Sequence, residues 1–163
     1  MRKKNTLWRI PAFGILAGVI WFFLNSHFLG SLSLVTLPDN TVTVDPLRSL
    51  IMDLVVMAIT YLYCWQYVTP KMTRKEVLKS SLVLVGFMAV SVGIKAFLVL
   101  GGSPMAQMAG FYLSEPFVWC SFVYHLMYIF TGSEWLSMAI QCLSPLVFVP
   151  LGKKDLPDFS GED

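Results

Sequence analysis

Long apolar stretches separated by short polar segments make up most of the chain. Five of them stand out, at residues 8–30, 47–69, 80–100, 104–131 and 134–151. A helix that crosses the hydrocarbon core of a bilayer needs about 20 mostly apolar residues. The pattern therefore predicts an all-α integral membrane helical bundle with about five transmembrane helices. Because the connections are short, we expect one polytopic membrane domain over residues 1–163.

The sequence TGSEW, at residues 131–135, bears on whether the chain crosses the membrane four or five times. Gly132 can end one helix, and Ser133 is a favourable N-cap for the next. This favours two separate crossings and places the C-terminus on the side opposite the N-terminus. The alternative has four crossings and lays residues 136–150 on the inner membrane surface. We prefer five, since that stretch is too uniformly apolar for a surface helix, which needs a polar face.

Lysine and arginine are concentrated before the first stretch and between the second and the third. They are Arg2, Lys3, Lys4, Arg9, Lys71, Arg74, Lys75 and Lys79, whereas loops 31–46 and 101–115 contain none. Because cytoplasmic loops carry the excess of positive charge, we expect a multi-pass protein of the cell membrane, inner or plasma, with a cytoplasmic N-terminus. Five crossings then place the turn at 131–133 on the inner face. The outward loop contains the alternating sequence TVTV, which predicts a short extended piece or hairpin.

Composition supports a membrane protein and argues against several other classes. Hydrophobic residues make up 56% of the chain and charged residues 13%, with a mean hydropathy of +0.66, whereas a soluble domain has about a quarter charged residues. No basic patch with interleaved aromatic residues lies outside the apolar stretches, so we expect no nucleic-acid partner. The three cysteines are an odd number without short spacing, which indicates neither a disulfide framework nor a zinc site. We therefore expect no metal and no cofactor.

Two charged residues lie inside the apolar stretches. Asp53 lies about 9 Å below the outer start of the second predicted helix, and Lys95 about 8 Å below the outer end of the third. Consecutive antiparallel helices are natural neighbours, and the two depths match. Pairing would offset part of the cost of about 2.5–3.5 kcal/mol for a charge inside the membrane. We therefore predict an Asp53–Lys95 ion pair; alternatively, Lys95 extends its ammonium to the outer head groups.

Further polar residues suggest a cavity on the outward side. Asn25 and His27 lie near the outer end of the first helix, and Gln141 lies on the polar stripe of the fifth. Together with Asp53 and Lys95 they are the candidate ligand-binding residues of an outward-facing polar cavity. The alternative interpretation is that these residues only pack helices together by hydrogen bonding.

Gly14 and Gly18 form a GxxxG spacing in the first predicted helix. Small residues at this spacing let two helix backbones approach closely. We expect these two glycines to be helix-packing residues.

The two histidines do not predict a haem site. His27 lies near the outer end of the first helix, and His125 lies about 9 Å above the inner end of the fourth. In a hydrocarbon core about 30 Å thick, two such side chains cannot hold one iron from the same height. We expect a hydrogen-bonded or interfacial role for both. No protease, hydrolase or phosphate-binding motif is present, so the chain is not expected to be an enzyme.

Two functional hypotheses from different classes remain open. The first is a non-enzymatic accessory or assembly subunit of a larger complex, or a transport helper, whose partners are membrane lipid and another membrane protein or a second copy of the chain. The alternative is a self-contained binder or transporter of a small polar or amphiphilic ligand, which would bind in the predicted outward-facing cavity. An enzyme acting on a lipid-linked substrate has the least support.

Overall fold

The computed structural model describes residues 6–38, 40–100, 102–105, 108–110 and 115–154. Within these residues the fold is helical, apart from one two-stranded hairpin. Five α-helices lie wholly within these residues, namely α1 (Arg9–Leu24), α2 (Pro46–Tyr63), α3 (Arg74–Leu100), α4 (Ser121–Thr131) and α5 (Glu134–Gln141). The first two continue into π-helical turns, at Asn25–Leu29 and Cys64–Val68. Short 3-10 helices occupy Gly30–Ser33, Thr69–Lys71, Glu115–Cys120 and Ser144–Leu151.

The loop between α1 and α2 forms the predicted hairpin. Strands β1 (Leu34–Thr36) and β2 (Val42–Val44) pair antiparallel, with Val35 opposite Thr43. The hairpin leads directly into α2, because the Asp45 carboxylate accepts hydrogen bonds from the first backbone N–H groups of the helix and proline occupies its first position.

Four helices in the described part of the chain are long and apolar enough to cross a membrane. They cover Arg9–Phe28, Pro46–Lys71, Arg74–Leu100 and Glu134–Leu151. The predicted fourth crossing, 104–131, is not among them, and residues 106–107 and 111–114 of that stretch lie outside the described residues. Its described apolar helix, Pro116–Thr131, is shorter than the other four. We call residues 115–131 the inserted segment.

Hydrogen bonds join three distant parts of the chain at one end of the bundle. The Arg74 N–H donates to the Lys153 carbonyl (2.9 Å), and the Lys153 N–H donates to the Met72 carbonyl (3.0 Å). The Ser80 hydroxyl donates to the Leu7 carbonyl (2.7 Å), which fixes the start of α1 at the same end. We call this the basic end (residues 6–9, 69–75 and 152–154). The last described residues therefore lie at the same end of the bundle as the first, whereas five crossings would place the C-terminus on the opposite side.

The other end of the bundle carries the β-hairpin and the turn before α5. Residues 134–151 end at the basic end. At a rise of 1.5 Å per α-helical residue and 2.0 Å per 3-10 residue, the segment is about 30 Å long, so it starts at the other end of the bundle. Gly132 adopts the left-handed conformation that ends α4, and the Ser133 side chain caps α5, as predicted. We call this the hairpin end (residues 30–45 and 131–133). The turn therefore lies at the end opposite the basic residues, whereas the five-crossing prediction places it on the same face as them.

The direction of α4 follows from these ends. α3 starts at the basic end and ends at the hairpin end, yet the chain has returned to the middle of the bundle by Pro116, which packs against Gly18 of α1. From Ser121, α4 then runs back towards the hairpin end. A proline carbonyl can lie so close to α1 only because residue 18 has no side chain. The inserted segment thus begins in the middle of the bundle and ends at the hairpin end.

An aromatic cluster fixes the inserted segment against the last helix. The buried ring of Phe148 stacks on Trp119, with ring centroids 5.4 Å apart, and on Tyr61 at 6.2 Å. Phe13 meets the same ring edge-on at 6.5 Å. The cluster joins α1, α2, the inserted segment and the C-terminal 3-10 helix, so it fixes the depth at which the inserted segment turns.

Candidate functional site

A carboxylate and an imidazole meet between α2 and α4. Nδ1 of His125 lies 2.6 Å from Oδ2 of Asp53, which is the distance of a strong, charge-assisted hydrogen bond. A hydrogen bond between these two atoms requires that Nδ1 of His125 or the carboxyl group carries the proton. The Ser121 hydroxyl, one turn before His125, lies 3.4 Å from the other carboxylate oxygen and also reaches the Val118 carbonyl. Ser121 and His125 therefore form one face of α4 directed at Asp53.

The pair is only partly shielded. The Asp53 side chain is 20% exposed and that of His125 is 43% exposed, so the imidazole is the outer member of the pair. Within the described part of the chain, Nε2 of His125 has no hydrogen-bond partner. The Tyr124 ring meets the imidazole edge-on at 5.2 Å, which restricts its orientation. The Asp53 carboxylate on α2 is therefore joined to one imidazole, that of His125, which is open to the surroundings.

The predicted Asp53–Lys95 ion pair is replaced by the Asp53–His125 pair. The prediction assumed that α2 packs on α3 and that the inserted segment runs towards the basic end. Instead, α2 packs on α4 and on the 3-10 helix before it, whereas α3 packs on α1 and on the C-terminal 3-10 helix. Because α4 runs towards the hairpin end, His125 reaches the depth of Asp53.

Lys95 lines a different and smaller site. A cavity of about 40 Å³ lies between α3 and α5, with Ser91, Lys95 and Gln141 as its polar residues and Phe117 of the inserted segment as one wall. Such a volume holds a few water molecules at most. Gln141 reaches out of this cavity to the thiol of Cys120, at 3.6 Å. The structure thus brings two predicted cavity residues, Lys95 and Gln141, to one place.

The remaining predicted cavity residues, Asn25 and His27, are exposed on the π-helical turn that follows α1. Nδ1 of His27 lies 3.0 Å from the Phe23 carbonyl of the preceding turn, and its ring stacks on the Phe23 ring. Neither residue lines the Lys95 cavity.

The two predicted packing glycines are buried and contact different elements. A Cβ at Gly14 would lie 2.6 Å from a terminal methyl of Leu84 on α3. A Cβ at Gly18 would lie 1.7 Å from the Pro116 carbonyl oxygen, which is backbone and cannot rotate away. The GxxxG face therefore contacts α3 at one position and the inserted segment at the other.

Sequence reasoning assigned His125 only a general hydrogen-bonding role. Ser121 and His125 are four residues apart, so they share one face of a helix, and Asp53 requires a donor at its own depth. These two observations would have identified the pair if the direction of α4 had been known.

Neither a metal site nor a similar known protein adds a functional assignment. Among the described residues, no group of three or more His, Cys, Asp or Glu side chains could hold a metal ion. The free cysteines Cys64, Cys120 and Cys142 are all buried. Comparison with family models, with curated proteins and with solved structures gives no match.

Proposed function

We propose that this chain is a multi-pass integral membrane protein with four crossings and a re-entrant inserted segment, and that its basic end is cytoplasmic. The described cations of the basic end are Arg9, Lys71, Arg74, Lys75, Lys153 and Lys154. With both described chain ends on the cytoplasmic side, all of these cations obey the positive-inside rule. With five crossings, Lys153 and Lys154 would lie outside. The inserted segment consequently opens to the outer side.

We further propose that the protein is a non-enzymatic transport protein, whose Asp53–His125 pair takes up and releases a proton from the outer side. The observation that carries this proposal is the 2.6 Å contact between the two side chains on two different helices. Carboxylate and histidine side chains inside membrane segments form the proton relays of pumps and transporters. Interrupted helices at membrane depth are likewise typical of transport sites.

The geometry gives each side chain a role. His125 is the more exposed member, so a proton from outside reaches its free Nε2 first. Uptake converts the pair from an imidazole beside a carboxylate into an imidazolium–carboxylate ion pair, and the net charge changes from −1 to 0. Histidine is the side-chain type whose charge changes most readily near neutral pH. A change in charge alters the attraction between α2 and α4, so protonation can move the inserted segment.

The test is proton entry into liposomes that contain the purified protein. A step to acid outside, followed with a pH dye inside, should acidify these vesicles faster than protein-free vesicles. Asp53→Asn and His125→Gln should each abolish the difference. The matched controls are Asp45→Asn and His27→Gln, which alter a carboxylate and an imidazole outside the pair and should leave proton entry unchanged. Equal rates in protein-containing and protein-free vesicles would refute the proposal.

An assembly subunit is the second candidate, and α3 is the element that favours it. Its outer half is largely exposed, and Gly86 and Gly93 lie two turns apart with no atom near the position of a Cβ. Small residues on an exposed helix face permit close contact with another membrane helix. Native mass spectrometry after mild solubilisation should then show a second copy or another membrane protein in fixed ratio. A strictly monomeric protein would refute the subunit proposal and leave transport as the remaining candidate.

A further inference from the structure

The seam between α1 and α2 combines two adjoining grooves. The lower groove, at the basic end, is an open cavity of about 450 Å³ whose charged residues are Arg9 and Lys71. The upper groove is an apolar cavity of about 370 Å³ lined by α1 and α2, from Phe13 to Leu24 along α1. We propose that this seam binds one anionic phospholipid, with its phosphate on Arg9 and Lys71 and an acyl chain in the upper groove.

The charges of the lower groove favour a phosphate. Arg9 and Lys71 have no ion-pair partner within the described part of the chain. The nearest described carboxylate on α3, Glu76, accepts hydrogen bonds from Thr6 and from the Thr73 backbone instead. An arginine beside a lysine offers several N–H donors to one anionic group.

The position of the cations matches the level of lipid head groups. Arg9 is the first residue of one membrane-crossing candidate, and Lys71 is the last residue of the next. Both therefore lie where the hydrocarbon core ends. Basic pockets between helices at the cytoplasmic surface recognise anionic head groups in this way.

The upper groove suits an acyl chain in length and in polarity. Residues 13–24 of α1 span about 16 Å, close to the roughly 15 Å of hydrocarbon in one leaflet. The polar groups of Trp21 and Thr60 are already satisfied, because Trp21 donates to Thr60 (3.0 Å) and Thr60 donates to the Val56 carbonyl (2.8 Å), and Tyr63 lies at the lower end of the groove. The wall offered to a ligand is therefore apolar.

Two tyrosines connect the grooves. Tyr63 lines the upper groove and Tyr67 the lower one, and their rings stack with centroids 5.6 Å apart. Tyrosine is enriched at the boundary between head groups and hydrocarbon, where the ring is apolar and the hydroxyl is hydrated. The two rings thus mark the point at which a bound lipid changes from polar to apolar. This inference does not depend on the Asp53–His125 pair.

The test is native mass spectrometry of the full chain titrated with phosphatidylglycerol or with phosphatidylcholine of the same acyl chains. We expect one phosphatidylglycerol to bind in preference to phosphatidylcholine. Arg9→Gln with Lys71→Gln should remove this preference, at about fivefold in affinity for each charge lost. The matched control, Lys79→Gln with Lys154→Gln, removes the same charge from outside the groove and should keep the preference.

Two further measurements distinguish binding of a whole lipid from binding of a free phosphate ion. Leu16→Trp fills the upper groove from an exposed position and should weaken binding of the long-chain lipid. Inorganic phosphate at millimolar concentration should not displace the lipid. Equal binding of the two lipids, an equal effect of the control double variant, or displacement by phosphate would overturn the proposal. The comparison of the two lipids uses the unaltered protein, so it decides even if a variant does not fold.

Discussion

Gly18→Ala is the substitution that most directly tests the path of the inserted segment. The added methyl would lie 1.7 Å from the Pro116 carbonyl oxygen, far inside van der Waals contact. Because that oxygen belongs to the backbone, the conflict is relieved only if the inserted segment moves away from α1. Overpacking of a close contact costs about 1–3 kcal/mol, and the rigid partner places this site at the upper end, about 3 kcal/mol.

Two other glycines provide a graded control for this substitution. At Gly14 the added methyl meets a flexible leucine methyl at 2.6 Å, so we expect a loss of about 1 kcal/mol. At Gly86 it meets nothing within 4 Å, and alanine should stabilise α3 by about 0.5–1 kcal/mol. The expected order of stability is therefore Gly86→Ala, unaltered protein, Gly14→Ala, Gly18→Ala.

Thermal unfolding in detergent with a thiol-reactive dye measures this order. The three cysteines are buried and free, so they react when the bundle opens. A loss of about 3 kcal/mol corresponds to a fall of about 6–12 °C in Tm for a chain of this size. Equal unfolding temperatures for Gly18→Ala and Gly86→Ala would show that the inserted segment does not lie against α1.

Three further predictions concern the pair, the aromatic cluster and the chain ends. A double-mutant cycle should give a coupling energy of about 1 kcal/mol or more between Asp53 and His125. Substitutions of Asp53 and Lys95 should be additive within about 0.5 kcal/mol; the reverse result would support the ion pair predicted from the sequence. Phe148→Ala should lower the free energy of unfolding by about 2 kcal/mol, below the roughly 3–5 kcal/mol typical of soluble cores, since lipid is as apolar as the protein interior; no measurable loss would contradict the packing. A reporter fused after Lys154 should be cytoplasmic, and an outward reporter would exclude four crossings.

Local features of the fold could be predicted from the sequence because their causes are local. The alternating sequence at 41–44 contains one strand of a hairpin, Val42–Val44, while Gly132 ends a helix and Ser133 caps the next. Each depends on the conformational preference or hydrogen bonding of a few neighbouring residues. The apolar stretches likewise gave four helices of sufficient length, since length and hydropathy are properties of the segment alone.

The direction of the inserted segment could not be predicted in the same way. Hydropathy is identical whether a helix runs inwards or outwards, so the sequence alone does not show which end of α4 is the inner one. The contact that reverses the direction joins Gly18 to Pro116, which are far apart in the sequence. One wrong direction then misplaced His125 and gave Asp53 the wrong partner. The error in the site followed from the error in topology, and not from the chemistry assigned to either residue.

The inserted segment and the polar site have a common physical cause. A continuous helix satisfies its own backbone hydrogen bonds, whereas a segment that turns inside the bundle leaves backbone groups that nearby polar side chains can satisfy. The Cys120 thiol accordingly donates to the Phe117 carbonyl at 2.9 Å, and the Ser121 hydroxyl reaches the Val118 carbonyl. Asp53 lies on α2, which contacts this turn, and Lys95 lines the small cavity that Phe117 of the turn closes on one side. Ser121 links the two features, because its hydroxyl reaches a backbone carbonyl of the turn and also lies 3.4 Å from the Asp53 carboxylate, so the carboxylate–imidazole pair adjoins the turn.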